Sequence, residues 1–122
     1  MNSIERARLS LKGLSVGDAL GETFHGPNPE AMSTIARREI PIGPWSYTDD
    51  TQMALSVVDA LQAEGYIDPT KLGHAFARRF DAKRGYGQGT AKLLQAVAAG
   101  GNAQQIASAS HGGEGSHGNG AA

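Results

Sequence analysis

Wherever apolar residues recur in this chain they recur at steps of three and four, and over no useful length do they alternate. Ile4, Ala7, Leu11 and Leu14 make one such stripe, which predicts a helix from Ser3 to about Leu20 with one buried face. A second helix begins near Asp50, carries Met53, Ala54, Val57, Val58 and Leu61 on its apolar stripe, and closes at Gly65, a residue suited to a left-handed C-terminal cap. Asp68 followed by Pro69 is a cap and first-turn pair, opening a helix with Leu72, Ala75, Phe76 and Phe80 on its buried face that ends before Gly85. Thr90 to Ala99, with Leu93, Leu94 and Val97, predicts another, and Asn102 caps a last short one through Ile106 to Ala109. Between the first two lies a segment punctuated by Pro27, Pro29, Pro41 and Pro44, read as a long loop with one helical turn around Glu30 to Arg37. With no strand pattern to pair, the expected fold class is all-α.

Two features break the helical pattern. Four positions beyond Leu14 the stripe of the first helix reaches Asp18, a carboxylate where a core residue is due. It reads first as a carboxylate that bonds neighbouring helix ends, and second as one that orients a metal site. Gly13, Gly17 and Gly21 form a second row on the same helix, read as a surface for close helix packing rather than for ligand contact. Tyr47-Thr48-Asp49-Asp50-Thr51 then places hydroxyls and two adjacent carboxylates directly before an amphipathic helix. Thr and Asp are favoured at helix starts, where the dipole stabilises acids, so capping alone accounts for part of this motif. Two adjacent acids exceed what a cap needs, and hard oxygen donors in one turn suit Mg²⁺.

Glycine is the compositional outlier, 17 residues of 122 against an ordinary frequency of roughly 7%. Half of the positions from His111 to Gly120 are glycine, and such a loop can bring consecutive N–H groups onto a phosphate or can serve as a plain tail. Arg84-Gly85-Tyr86-Gly87-Gln88-Gly89-Thr90 is a loop of similar character before a helix, with Tyr86 able to stack and Thr90 able to cap. Eleven basic against twelve acidic side chains give a net charge of -1, which provides no field for non-specific nucleic-acid binding. The chain has no cysteine, so thiolate metal sites, thiol nucleophiles and disulfides are excluded, and any metal must sit on oxygen or imidazole. His25, His74, His111 and His117 show no ligand spacing. No apolar run is long enough for a signal or a membrane span, so no membrane association and a cytoplasmic location are expected.

Gly17-Asp18-Ala19-Leu20-Gly21, Tyr47-Thr48-Asp49-Asp50-Thr51-Gln52-Met53-Ala54-Leu55, Arg84-Gly85-Tyr86-Gly87 and Gly115-Ser116-His117-Gly118-Asn119-Gly120 occur in an order that resembles the ADP-ribosylglycohydrolase family, including the dinitrogenase reductase-activating glycohydrolases. The resemblance implies an all-helical domain in which a binuclear Mg²⁺ or Mn²⁺ centre binds ADP-ribose and assists its hydrolysis from a protein side chain or small acceptor. By position it implies Thr48, Asp49 and Asp50 as metal ligands, with Asp49 and Asp50 serving catalysis. It further implies Gly85, Tyr86, Gly87, Gly115, Ser116, Gly118, Asn119 and Gly120 around the substrate. Two departures accompany it. Many members of the family carry a glutamate at the position of His25, which leaves Glu22 as the nearest candidate acid, and the family's second acidic cluster, an Asp-x-Asp-Thr type motif, has no counterpart here. Residues 1–122 are therefore expected to be the N-terminal part of a larger domain, with little activity alone and a tendency to self-associate through faces the rest would cover.

Overall fold

A computed structural model describes residues 1–115 of the chain. Within them the chain forms six α-helices, α1 (Ser3–Glu22), α2 (Ala31–Ala36), α3 (Asp49–Glu64), α4 (Pro69–Arg79), α5 (Gln88–Ala98) and α6 (Ala103–Ala109), with short 3-10 turns at Ala82–Arg84 and Ser110–Gly113 and no strand. Local chemistry sets most of the boundaries. Asn2 and Glu5 form a reciprocal capping box at the start of α1, each side chain bonding the other's amide. Asp68 Oδ1 accepts from the Lys71 amide ahead of Pro69, and Asn102 Oδ1 accepts from the Gln105 amide. Gly65 ends α3 at φ 75°, the left-handed geometry that a side chain would strain.

α3 packs between α1 and α4, and α4 in turn packs on α5 and α6, with α3 the main helical neighbour of α1. The tightest core lies under α5, where Leu94 and Val97 are each 1% exposed. At the crossing of α4 and α6, Gly73 and Ala103 approach so closely that a Cβ on Gly73 would stand 2.6 Å from that of Ala103. Only a glycine fits there.

Three expectations about packing need correction. On α1, Ile4 and Leu14 are exposed, Ala7 and Leu11 are half-buried, and the buried residue is Ala19, near the end of the helix where Asp18 meets the start of α3. On α3 the buried positions are Thr51, Gln52 and Ser56 rather than the apolar stripe, and Leu61 is exposed. These three polar side chains are satisfied by α1, by the α4–α5 connection and by Arg79 of α4, so the first turns of α3 are held by hydrogen bonds rather than by apolar burial. Thr90 does not cap α5: Gly87 occupies that position with no side-chain bond.

Candidate active site

The turn that starts α3 is gripped by Asp18 of α1. Thr48 donates to it twice, from its amide to Oδ2 (2.8 Å) and from its hydroxyl to Oδ1 (2.6 Å), and Thr51 does the same at Oδ2 from its amide (3.2 Å) and hydroxyl (2.6 Å). Burial pushes the Asp18 carboxyl up, but these bonds to its charged form outweigh burial together and leave its pKa below the usual carboxylate value. The carboxylate that interrupts the apolar stripe of α1 thus bonds a neighbouring helix end, as its first reading expects.

Because the Thr48 hydroxyl spends its single proton on Asp18, its oxygen faces the surroundings as an acceptor. It caps the Asp50 amide at a long 3.4 Å and retains one further lone pair. Asp49 and Asp50 follow in the first turn, and a cleft of about 490 Å³ opens over them, lined by Gly17, Asp18, Gly21, Glu22 and His25 from α1 and its end, by Thr48, Asp49 and Asp50, and by Gly85. Partial burial in this cleft raises the Asp50 carboxyl above its usual value, and the negative charges of Asp49 and Asp18 raise it further. Among the described residues the lining carries four carboxylates and neither Lys nor Arg.

The cleft changes the meaning of the glycine row. A Cβ at Gly13, Gly17 or Gly21 would meet nothing within 4 Å, so these glycines do not mediate close helix packing. Gly17 and Gly21 instead form a bare floor to the cleft, where a ligand can approach the helix backbone. Glu22 stands in the same lining as the two aspartates, beside His25.

A second set of bonds fastens the loop after α4 to this turn. Arg84 lies over the Tyr47 ring, 3.7 Å from its centroid, and donates from Nη1 to the Tyr47 carbonyl (3.0 Å). Tyr86 donates its hydroxyl to Gln52 Oε1 (2.7 Å), which also accepts from the Asp81 amide (3.2 Å), and its ring tilts against Phe80 with centroids 4.8 Å apart. Burial first, and then the charge of Asp49, push the Tyr86 phenol up to about 12. Of the loop residues expected around a substrate, Gly85 lines the cleft at φ 80°, Tyr86 is engaged in bracing α3, and Gly87 starts α5. Gly115 adopts φ 88° and has both backbone groups engaged, its N–H with the Ser110 carbonyl and its carbonyl with His111 Nδ1. Ser116, Gly118, Asn119 and Gly120 lie outside the described residues. Arg84 and Gln52 are the contributors that spacing alone did not single out; Gln52 could have been suspected only from its place next to Thr51 in the acidic motif.

The donor set suits a hard divalent cation in kind. Two carboxylates and a hydroxyl oxygen sit at one helix start in a cleft of excess negative charge, and Mg²⁺ is commonly held by one or two carboxylates with water or substrate oxygens completing the sphere. In number the set is partial, since no group of three or more His, Asp or Glu side chains among the described residues is arranged to hold a metal ion.

What fold and cleft define is an all-helical domain with an acidic, oxygen-rich site at a helix start. The family profile for ADP-ribosylglycohydrolase matches residues 1–122, and the chain belongs to that family. It is 30% identical to ADP-ribosylhydrolase ARH3 of Homo sapiens over 98% of this chain and 38% of that protein. The ARH3 proteins of Gallus gallus and Danio rerio are 33% and 32% identical, over 96% and 98% of this chain and 37% and 35% of theirs. The chain thus spans little more than a third of these relatives' length. No solved structure matches it significantly.

Proposed function

We propose that this chain supplies one half of the catalytic site of a metal-dependent ADP-ribosyl hydrolase, which removes ADP-ribose from a protein side chain or small acceptor. The observation that carries the reading is the convergence of Thr48, Asp49 and Asp50 on the same cleft as the bare backbone of Gly17 and Gly21 and the carboxylate of Glu22. A diphosphate entering a lining of four carboxylates without Lys or Arg is repelled unless cations neutralise the walls, and that supports the need for Mg²⁺ or Mn²⁺. When bound, such ions supply positive charge toward substrate oxygens and lower the pKa of a coordinated water.

The chain's own residues have separate tasks in this reading. Asp49 and Asp50 offer carboxylate oxygens, and Thr48 offers the lone pair left after its bonds to Asp18 and Asp50. Asp18 keeps the Thr48 proton turned away from that lone pair. Glu22 is the candidate for proton transfer as water adds to the anomeric carbon and the acceptor leaves. Gly85 lines the same cleft and contributes no side chain to obstruct a ribose.

The test is an NMR titration of the isotopically labelled chain with Mn²⁺, whose paramagnetism broadens resonances near its binding place even when binding is weak. Selective broadening at Thr48 to Asp50 is expected, lost in Asp49→Asn and Asp50→Asn; broadening spread evenly over the acidic surface would sink the metal reading. Calorimetry with ADP-ribose and Mg²⁺ checks the ligand, and absence of heat removes it. With a partial ligand set, little or no release of ADP-ribose is expected from residues 1–122 alone, and robust Mg²⁺-dependent release would overturn that expectation. A non-catalytic ADP-ribose-binding module is the second reading, favoured by His25 in the cleft; heat with ADP-ribose, and no hydrolysis once the second acidic cluster is supplied in trans, would select it.

A further inference from the structure

The Tyr47–Thr48 peptide unit is held from both ends by opposite charges drawn from distant parts of the chain. Its carbonyl accepts from Arg84 Nη1 at 3.0 Å, and its N–H donates to Asp18 Oδ2 at 2.8 Å. Arg84 comes from the loop after α4 and Asp18 from α1, 37 and 30 positions away from their partners. The guanidinium also covers the Tyr47 ring at 3.7 Å and stands 4.0 Å from Asp81, so it is fixed on three sides. Arg84 is not among the residues that line the cleft, and its guanidinium is engaged with Tyr47 and Asp81 instead.

We propose that Arg84 is a positioning residue that, with Asp18, sets the plane of the Tyr47–Thr48 peptide and thereby the direction in which Thr48 and Asp49 present their oxygens. A peptide unit turns by rotation about its Cα–Cα axis, and here such a turn would break the bond to Arg84 and the bond to Asp18 together, so two grips resist it more than either alone. Thr48 takes φ -107° and ψ -166°, an extended geometry from which the chain turns abruptly into α3, and those angles place the Thr48 hydroxyl on Asp18 and Asp49 in the first turn. Lysine cannot replace this arrangement fully. An ammonium can reach a carbonyl, but it lacks the flat face that lies on Tyr47. This assignment rests on the reading of Thr48 to Asp50 as metal ligands. Residues that orient ligands without touching the ion commonly alter affinity by tenfold or more when removed.

The experiment is the Mn²⁺ titration of the labelled chain repeated on Arg84→Gln, Arg84→Lys, Asp18→Asn and the double variant Asp18→Asn with Arg84→Gln, with amide exchange of Thr48 followed in parallel. Arg84→Gln is expected to raise the Mn²⁺ concentration for half-broadening at Asp49 by about tenfold and to speed Thr48 amide exchange, while the amides of Ser56 to Leu61 exchange as before. Arg84→Lys is expected to fall between wild type and Arg84→Gln, a graded rescue that loss of fold does not produce. The double variant is expected to lose less than the sum of the two single losses, because both residues act on one peptide. If wild type is broadened at Asp49 and Asp50 and Arg84→Gln is broadened equally, the positioning role is overturned and the metal reading stands. If wild type shows no such broadening, the metal reading falls and takes the positioning role with it. Should Arg84→Gln fail to fold by circular dichroism, Arg84→Lys carries the same comparison, and a wild-type response from folded Arg84→Lys with accelerated Thr48 exchange also overturns the role.

Discussion

Asp18 accepts both the amide and the hydroxyl of Thr48, at 2.8 and 2.6 Å, so that one carboxylate on α1 fixes the residue that caps α3. Removing it strands donors of Thr48 and Thr51 together. Asp18→Ala is expected to cost about 2 kcal/mol in urea denaturation and Asp18→Asn about half of that, since an amide keeps one acceptor oxygen. The pH dependence has a definite sign. The folded carboxyl titrates below its unfolded value, so its contribution is present above the ordinary carboxylate range and is lost as the pH falls through the folded pKa. The stability gap between wild type and Asp18→Asn should therefore narrow on acidification; a gap that widens would contradict the assignment.

Tyr86 behaves in the opposite sense, since its phenol is pushed up to about 12 in the folded chain from an ordinary value of 10.0. The folded state holds this proton more tightly than the unfolded state. Stability linked to it is full below pH 10 and declines as the pH rises from 10 toward 12. An ultraviolet phenolate titration should show one of the three tyrosines ionising late, and Tyr86→Phe should remove that late step and cost about 1 kcal/mol through the lost bond to Gln52. Three coincident ionisations would contradict the burial of the Tyr86 phenol.

Glycines in two helices should respond to alanine with opposite signs. Gly13 lies inside α1 with open space around it, so Gly13→Ala should stabilise by about 0.5–1 kcal/mol through backbone entropy. Gly73 lies inside α4 against the Ala103 methyl, and Gly73→Ala should destabilise by about 1–3 kcal/mol despite its better helix propensity. Paired with Ala103→Gly, Gly73→Ala should recover most of that loss. Thermal melts of the three variants decide the matter, and equal responses at the two sites would show the α4–α6 contact to be looser than described.

Leu9, Val16 and Ile42 are 60%, 57% and 97% exposed. Large apolar side chains left exposed in this way favour association with a second copy. Sedimentation velocity should show an average mass that rises with concentration, and a single monomeric species throughout the range would count against it.

The helices are legible in the sequence because their signals are local: Asn102 and Asp68 reach amides three positions on, Gly65 suits the left-handed cap it forms, and prolines break the segment around α2. The acidic motif from Thr48 to Asp50 was legible for the same reason, as one turn of chain. The buried face of α5 was legible in Leu94 and Val97, but those of α1 and α3 were not, since their apolar stripes match in period but their covering partners do not, and the buried face of α3 proved to be Thr51, Gln52 and Ser56. Only the tertiary structure decided that Gly17 and Gly21 floor a cleft, that Tyr86 braces Gln52, and that Arg84 meets Tyr47 across 37 positions. Those relationships depend on how helices dock, and docking is settled by the combined geometry of partners distant in the chain, which no local pattern encodes.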